Sequence, residues 1–216
     1  LQPYYINYKG HYIDYESKKD LFHRSKFRLL FESKKIIVRR ISGENNRFVA
    51  AFDDNGYYTN DNLMHLVLWN DEILNYQKPD KKWDILNNHN YSLKYILAIL
   101  ESKLNTYYFN KFLSTDTLQG SYSSIYPEDI RQIPIKKIDS DKQNTIINKV
   151  DQIIETKQHS PSADTSTLEA EIDEMVYDLY GLTEEERKIV EEGVGPARTT
   201  PNPGSCRGTQ SVEEER

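Results

Sequence analysis

A single cysteine, Cys206, stands in 216 residues, so the chain can form neither an internal disulfide nor a cysteine-based zinc site. That usage suits a reducing setting, and a cytoplasmic location is expected. No apolar run approaches the roughly 18–20 residues a membrane span requires. Residues 1–20 also lack the apolar centre of a secretory signal, so no membrane partner is expected. Methionine is missing from position 1, which reads as a piece of a longer polypeptide. Catalytic signatures are missing as well: there is no Gly-x-x-x-x-Gly-Lys loop, no Gly-x-Gly-x-x-Gly and no His-Glu-x-x-His. The five histidines, His11, His23, His65, His89 and His159, fall at no metal-ligand spacing. His65 lies within an apolar run and reads as a satisfied sheet residue.

Basic residues are outnumbered, 28 Lys+Arg against 34 Asp+Glu, for a net charge of −6. Their distribution matters more than the total. Residues 1–50 hold 11 basic and 5 acidic side chains, whereas residues 141–216 hold 8 basic and 17 acidic. Charges separated by more than about 8–10 Å are screened at physiological salt, so a basic segment can face a polyanion despite an acidic remainder. Hydrophobic residues make up 37% and charged residues 29%, a polar but globular composition.

The first third alternates like a sheet. Lys35-Ile36-Ile37-Val38-Arg39-Arg40-Ile41 is rich in β-branched residues and closes at Ser42-Gly43. Arg47-Phe48-Val49-Ala50-Ala51-Phe52 follows a hairpin loop at 43–46, and Asp53-Asp54-Asn55-Gly56 is a second turn. Tyr57-Tyr58-Thr59 and Leu63-Met64-His65-Leu66-Val67-Leu68 read as further strands. Tyr4–Tyr8 and His11–Tyr15 read as an aromatic hairpin around Lys9-Gly10, and residues 16–33 as a basic, partly helical stretch. From the N-cap Ser92, apolar residues recur at helical spacing through Tyr95, Ile99, Leu104, Tyr108 and Phe112, predicting one helix. Residues 115–126 read as a loop and Ile133-Pro134-Ile135 as extended. A second amphipathic helix starts near Ser140, and Pro161 marks a linker. A third runs through Leu168, Ile172 and Val176 to a C-cap at Gly181, and Thr183–Glu186 is a capping box opening a last short helix. The expectation is an α+β fold: a twisted, mainly antiparallel sheet with packed helices over 1–139, a helical region over 140–192, and a disordered Gly/Pro-rich tail over 193–216.

Two residue patterns bear on chemistry. Glu-x-Lys occurs at Glu32-Ser33-Lys34, with Asp20 upstream, and at Glu101-Ser102-Lys103. Metal-dependent nucleases use such carboxylates to hold Mg²⁺, but the pattern arises readily by chance at this charge content. The chain holds sixteen tyrosines, and several of them, Tyr8, Tyr12 and Tyr15, are interleaved with cations between Tyr8 and Arg28. Tyrosine offers a stacking face, and Lys/Arg bind phosphates or guanine edges. The same tyrosines would equally suit a half-buried sheet.

Taken in order, five segments resemble one module. They are Lys35–Ile41, Ala50–Tyr58, Leu93–Leu104, Ile130–Ile135 and Met175–Glu186. The chain is similar from about Tyr4 to Glu192 to the TaqI-like C-terminal specificity domain. That module is the target-recognition domain of adenine-specific DNA methyltransferases and of type IIG, Eco57I-like restriction-modification enzymes. Glu101 stands where the family's helix usually has asparagine. The resemblance implies a module that reads double-stranded DNA. A separate upstream methyltransferase domain would bind S-adenosylmethionine and act on the target, so this fragment would hold no catalytic residue, metal or cofactor of its own. The absence of an Asn-Pro-Pro-Tyr type motif agrees with that division of labour. On this reading Lys18, Lys19, Arg24, Lys26, Lys34 and Lys35 are phosphate anchors, with Lys136 and Lys137 as further backbone contacts. Base reading falls to Asn45, Asn46 and Arg47 of the hairpin and to Gln119, Ser121 and Tyr122 of the later loop. Arg39 and Arg40 occupy adjacent strand positions, so at most one points to DNA. The alternatives are a protein-interaction or scaffold domain of a restriction-modification complex, and a metal-dependent nuclease domain. Oligomeric state is left open by the sequence.

Overall fold

The computed structural model describes residues 1–12, 14, 28–68, 91–114 and 122–194. Among the described residues three strands form, short and rich in apolar and β-branched residues: β1 (Lys35–Arg39), β2 (Ala50–Asp53) and β3 (Leu63–Leu66). They form an antiparallel sheet of order β2-β1-β3. The hairpin register pairs Lys35 with Asp53 and Val38 with Ala50, while β3 places Leu66 opposite Ile36. The central strand is buried from Lys35 through Val38. The Asp53 turn is closed by its own carboxylate, which accepts the Asn55 and Tyr57 N–H groups, both at 2.9 Å. Gly56 follows at φ +74°, a left-handed geometry that glycine adopts without steric cost.

A short helix, α1 (Arg28–Glu32), precedes the sheet, and α2 (Leu93–Glu101) packs against it. Ser92 caps α2 through its side chain, as its sequence position predicts. The single helix expected from 92 to 112 is divided. Ser102 takes an extended conformation, and its hydroxyl accepts from Asn105 N–H, starting a new helix, α3 (Lys103–Tyr108). The serine's local hydrogen bonds compete with helix continuation there. A π-helical turn at Phe109–Leu113 then closes this segment. Next come α4 (Pro127–Gln132), α5 (Ser140–His159), α6 (Ser166–Tyr180) and α7 (Glu184–Gly193). The Gly181 C-cap, at φ +75°, and the Thr183–Glu186 capping box both form where the sequence places them.

The fold is α+β. One apolar core joins Ile36, Val38 and Ala50 of the sheet to Leu97 and Leu100 of α2, and continues into Val150 and Ile153 of α5 and Ile172 and Val176 of α6. Burying each of these Ile, Val and Leu side chains contributes about 1.5–3 kcal/mol. The long helices are thus built onto the same core as the sheet. Among the described residues no helix is long and apolar enough to cross a membrane.

Two expected strand regions differ. Tyr4 is not part of a hairpin: it sits at φ +63°, its N–H donates to Ala50 O at 2.8 Å, and its ring is buried in the core. Ring packing at Tyr8 replaces strand pairing, with edge contact to Tyr12 and a tilted contact to Tyr57. Tyr57–Thr59 likewise form no strand, because the Tyr58 ring stacks on Phe31 at 4.4 Å. Ile13, residues 15–27 and the 195–216 tail lie outside the described residues.

Candidate nucleic-acid interface

The chain that leads into the tip between β1 and β2 is hydrogen-bonded to the residues that follow Tyr122. Beyond Arg39 the chain of β1 continues as residues 40–42 and pairs antiparallel with 123–125. Ser42 N–H donates to Ser123 O at 3.0 Å, and Ile125 N–H donates to Arg40 O at 2.8 Å. Side chains reinforce the seam. Ser42 Oγ accepts from Ser123 N–H at 2.9 Å, and Ser114 Oγ donates to Ser123 Oγ at 3.0 Å. Tyr122, at 44% exposed, precedes Ser123 at this seam. The tip between β1 and β2 follows Ser42, the residue paired with Ser123.

That tip is preorganised. Gly43 N–H donates to Arg47 O at 2.7 Å, and Arg47 N–H returns to Glu44 O at 3.1 Å. Between them Asn45 and Asn46 adopt φ values of +55° and +58°. Asparagine tolerates this left-handed region better than most side chains. Asn46 Oδ1 accepts from Ser42 Oγ at 3.1 Å, and the Asn45 carbonyl accepts from Asn110 Nδ2 at 3.4 Å. Asn110 belongs to the π-helical turn, a geometry frequent at functional sites. The Asn45 side chain itself is exposed. Arg40 lies over the Tyr126 ring at 5.9 Å from its centroid, beside Ile41, which is 46% exposed. The end of the sheet therefore presents amide, aromatic and cationic groups together, the side-chain types that contact base edges and phosphates.

The other expected residues fare differently. Lys34 is exposed, at the opposite end of β1. Lys35 is not a surface phosphate anchor. It is fully buried, its Nζ lies 2.5 Å from Asp53 Oδ2, and it also donates to Phe31 O. Burial lowers its pKa, an effect that Asp53 opposes. Arg47 does not project toward a ligand either: its guanidinium is held between Glu101 Oε2 at 3.2 Å and Glu169 Oε2 at 2.7 Å. Lys136 is exposed, but its Nζ donates to Leu179 O at 2.6 Å at the C-terminal end of α6. Lys137 is exposed nearby. Lys18, Lys19, Arg24, Lys26, Gln119 and Ser121 lie outside the described residues.

Both Glu-x-Lys glutamates are engaged by cations of this chain among the described residues. Glu32 is engaged by Arg28 and the Tyr58 hydroxyl, Glu101 faces Arg47, and Asp20 lies outside the described residues. Among the described residues no three His, Cys, Asp or Glu side chains are placed to share a metal ion. His65 sits in β3, with Nε2 at 2.8 Å from Thr59 Oγ1.

The sequence reading did not anticipate the buried ionic cluster behind the tip. Glu101 accepts from the Ala50 N–H, and burial pushes its pKa up to about 8 against the opposing pull of Arg47. Asp173 of α6 accepts from the Lys103 N–H at 2.8 Å, and burial raises its pKa to about 6. Lys103 Nζ bridges to both Glu191 oxygens, at 2.9 and 2.8 Å, and Tyr177 donates to Glu191 at 2.8 Å. A cavity of about 570 Å³ runs along this cluster. One signal was available in the sequence: Glu101 is the lone acid in the apolar run Leu93–Leu104.

The model of the TaqI-like C-terminal specificity domain matches residues 1–135. No curated protein matches the chain. The chain belongs to the TaqI-like C-terminal specificity domain family, which gives it a DNA target-recognition role in restriction-modification.

Proposed function

We propose that, within this family, the chain is the sequence-reading module of an adenine-specific DNA methyltransferase of a restriction-modification system. Methyl transfer would then occur on a separate upstream domain of the parent polypeptide. S-adenosylmethionine would be held there, and no residue of this chain is assigned to it. The observation that carries the reading is the pairing of residues 40–42 with 123–125, which puts Asn45, Asn46, Arg40 and Tyr122 at one end of the sheet. Only the major groove distinguishes all four base pairs, and it admits a two-stranded ribbon. A hairpin tip braced on a neighbouring strand suits that groove. Exposed Lys34 and Lys137 serve the phosphates.

Binding of this chain to duplex DNA, followed by fluorescence anisotropy across a salt series, tests the assignment. The expected log affinity falls with log salt by about 0.9 per phosphate contact. The combined variant Arg40→Ala/Asn45→Ala/Tyr122→Ala is expected to weaken binding at least tenfold at low salt, consistent with loss of about 1–3 kcal/mol per good base contact. Equal affinity of variant and parent, or no binding by either at low salt, would remove the proposal.

A further inference from the structure

The helix α6 lies wholly outside the matched residues, yet it grips the tip expected to read DNA. Glu169, in its first turn, splits its carboxylate between two partners: Oε1 accepts from Thr165 Oγ1 at 2.7 Å, and Oε2 accepts from Arg47 Nη2 at 2.7 Å. Thr165 is the N-cap residue of α6 and is itself buried, so the carboxylate is oriented before it meets the guanidinium. Arg47 is the residue at which the tip closes, since its carbonyl accepts from Gly43 and its N–H returns to Glu44. The second face of the guanidinium meets Glu101, whose other oxygen accepts the Ala50 N–H at the start of β2. A separate route reaches the same tip. Asp173 of α6 binds the first N–H of α3, and α3 runs into the π-helical turn whose Asn110 holds the Asn45 carbonyl.

We propose that Glu169 is a positioning residue for sequence reading. Through Arg47 it fixes the backbone of the 43–47 tip, and with it the direction in which Asn45 and Asn46 are presented. This inference rests on the recognition role proposed above and extends it to a residue that touches no DNA. Its chemistry suits the task. A guanidinium is planar and always charged, and it can satisfy two carboxylates from fixed directions. The groups facing Arg47 are Glu101, Glu169 and Tyr4, and Asp173 also feels its charge. Burial works to lower the Arg47 pKa, but Glu101 and Glu169 hold it above its ordinary value, so the strut keeps its charge throughout the physiological range.

The test uses the full chain carrying Glu169→Gln, which keeps an acceptor for Thr165 and turns the other arm into an amide. Two readouts are taken: amide hydrogen exchange over residues 42–49, and enrichment of sequences from a pool of random duplexes. The expected result is exchange about tenfold faster at the tip, with α5 unchanged. Sequence enrichment should flatten, while the total DNA retained at low salt stays within about twofold, since phosphate contacts are untouched. Unchanged exchange, or unchanged enrichment by the variant, overturns the inference. If the parent chain itself enriches no sequence, the recognition role fails, and the exchange result still decides whether Glu169 holds the tip. If Glu169→Gln loosens α5 as well, Arg47→Lys becomes the deciding variant, because it keeps the charge and loses the fork. Tip-only loosening in that variant supports the positioning role, and global loosening overturns it.

Discussion

The two ends of the β1–β2 hairpin each carry a buried ionic knot, and the knots are built on opposite plans. At one end, Lys35 and Asp53 face each other across the register, both fully buried, and every further partner is local: Phe31 O, Asn55 N–H and Tyr57 N–H. At the other end, Arg47 is 31% exposed at its side chain and meets Glu101 of α2 and Glu169 of α6, 122 residues away. The first knot is balanced, one cation to one carboxylate, and closed to solvent. The second has more acid than base, borders a cavity and ties three separate segments. A balanced local pair fixes a turn, whereas an unbalanced, long-range one makes a joint whose state depends on protons and on distant helices.

The sharpest way to break the comparison is Lys35→Met. Removing one partner leaves Asp53 buried without its counter-charge, and such losses cost about 3–5 kcal/mol. The Asn55 and Tyr57 N–H groups still support the carboxylate, so an effect of about 3 kcal/mol is expected in chemical denaturation. A loss below about 1 kcal/mol would mean that the local knot contributes little.

Arg47→Met should behave differently, because Glu101 can take up a proton when its partner is gone. A cost of about 2 kcal/mol is expected at pH 8.5, shrinking at pH 5.5, where both Glu101 and Asp173 can be neutral. The parent protein carries the same signature. Glu101 is raised to about 8 and Asp173 to about 6 in the fold, both through burial, from 4.5 and 3.8. Across that window the folded state binds more protons than the unfolded state, so stability falls as pH rises from about 5 to 8. Denaturation midpoints that climb through this range would refute the burial assignment. The smallest effect is expected at Lys149→Ala. Its pair with Glu171 joins α5 to α6 at a partly exposed site, and its loss should cost less than about 1 kcal/mol in the same measurement.

Much of this molecule can be read from its residues. β-branched alternation located β1, and the asparagine-rich loop located the hairpin. Caps at Ser92, Gly181 and Thr183 set helix ends because those side chains and that glycine satisfy terminal backbone groups locally. The turn at the tip was legible in part: Asn45 and Asn46 occupy the loop the sequence places after Ser42, which pairs with the residue that follows Tyr122. Lys35 and Arg47 were not legible as ion-paired groups, since a charge in the sequence looks the same whether it faces water or a partner. For Lys35 the missing step was the register, which puts Asp53 directly opposite. For Arg47 the partners come from helices far along the chain, and only packing brings them together. The break at Ser102 was hidden because the apolar spacing runs through it undisturbed.

The paired left-handed asparagines at the tip restrict what descendants of this protein could become. A backbone with φ near +55° at two successive positions excludes β-branched and bulky residues at a cost of about 1–2 kcal/mol each, and favours asparagine, aspartate or glycine. The palette at 45 and 46 is therefore narrow, and on the proposed recognition role drift toward a new target sequence would be channelled to flanking positions with ordinary backbone, Arg40 and Tyr122 foremost. Altered specificity would then be acquired beside the tip while the tip itself keeps its shape.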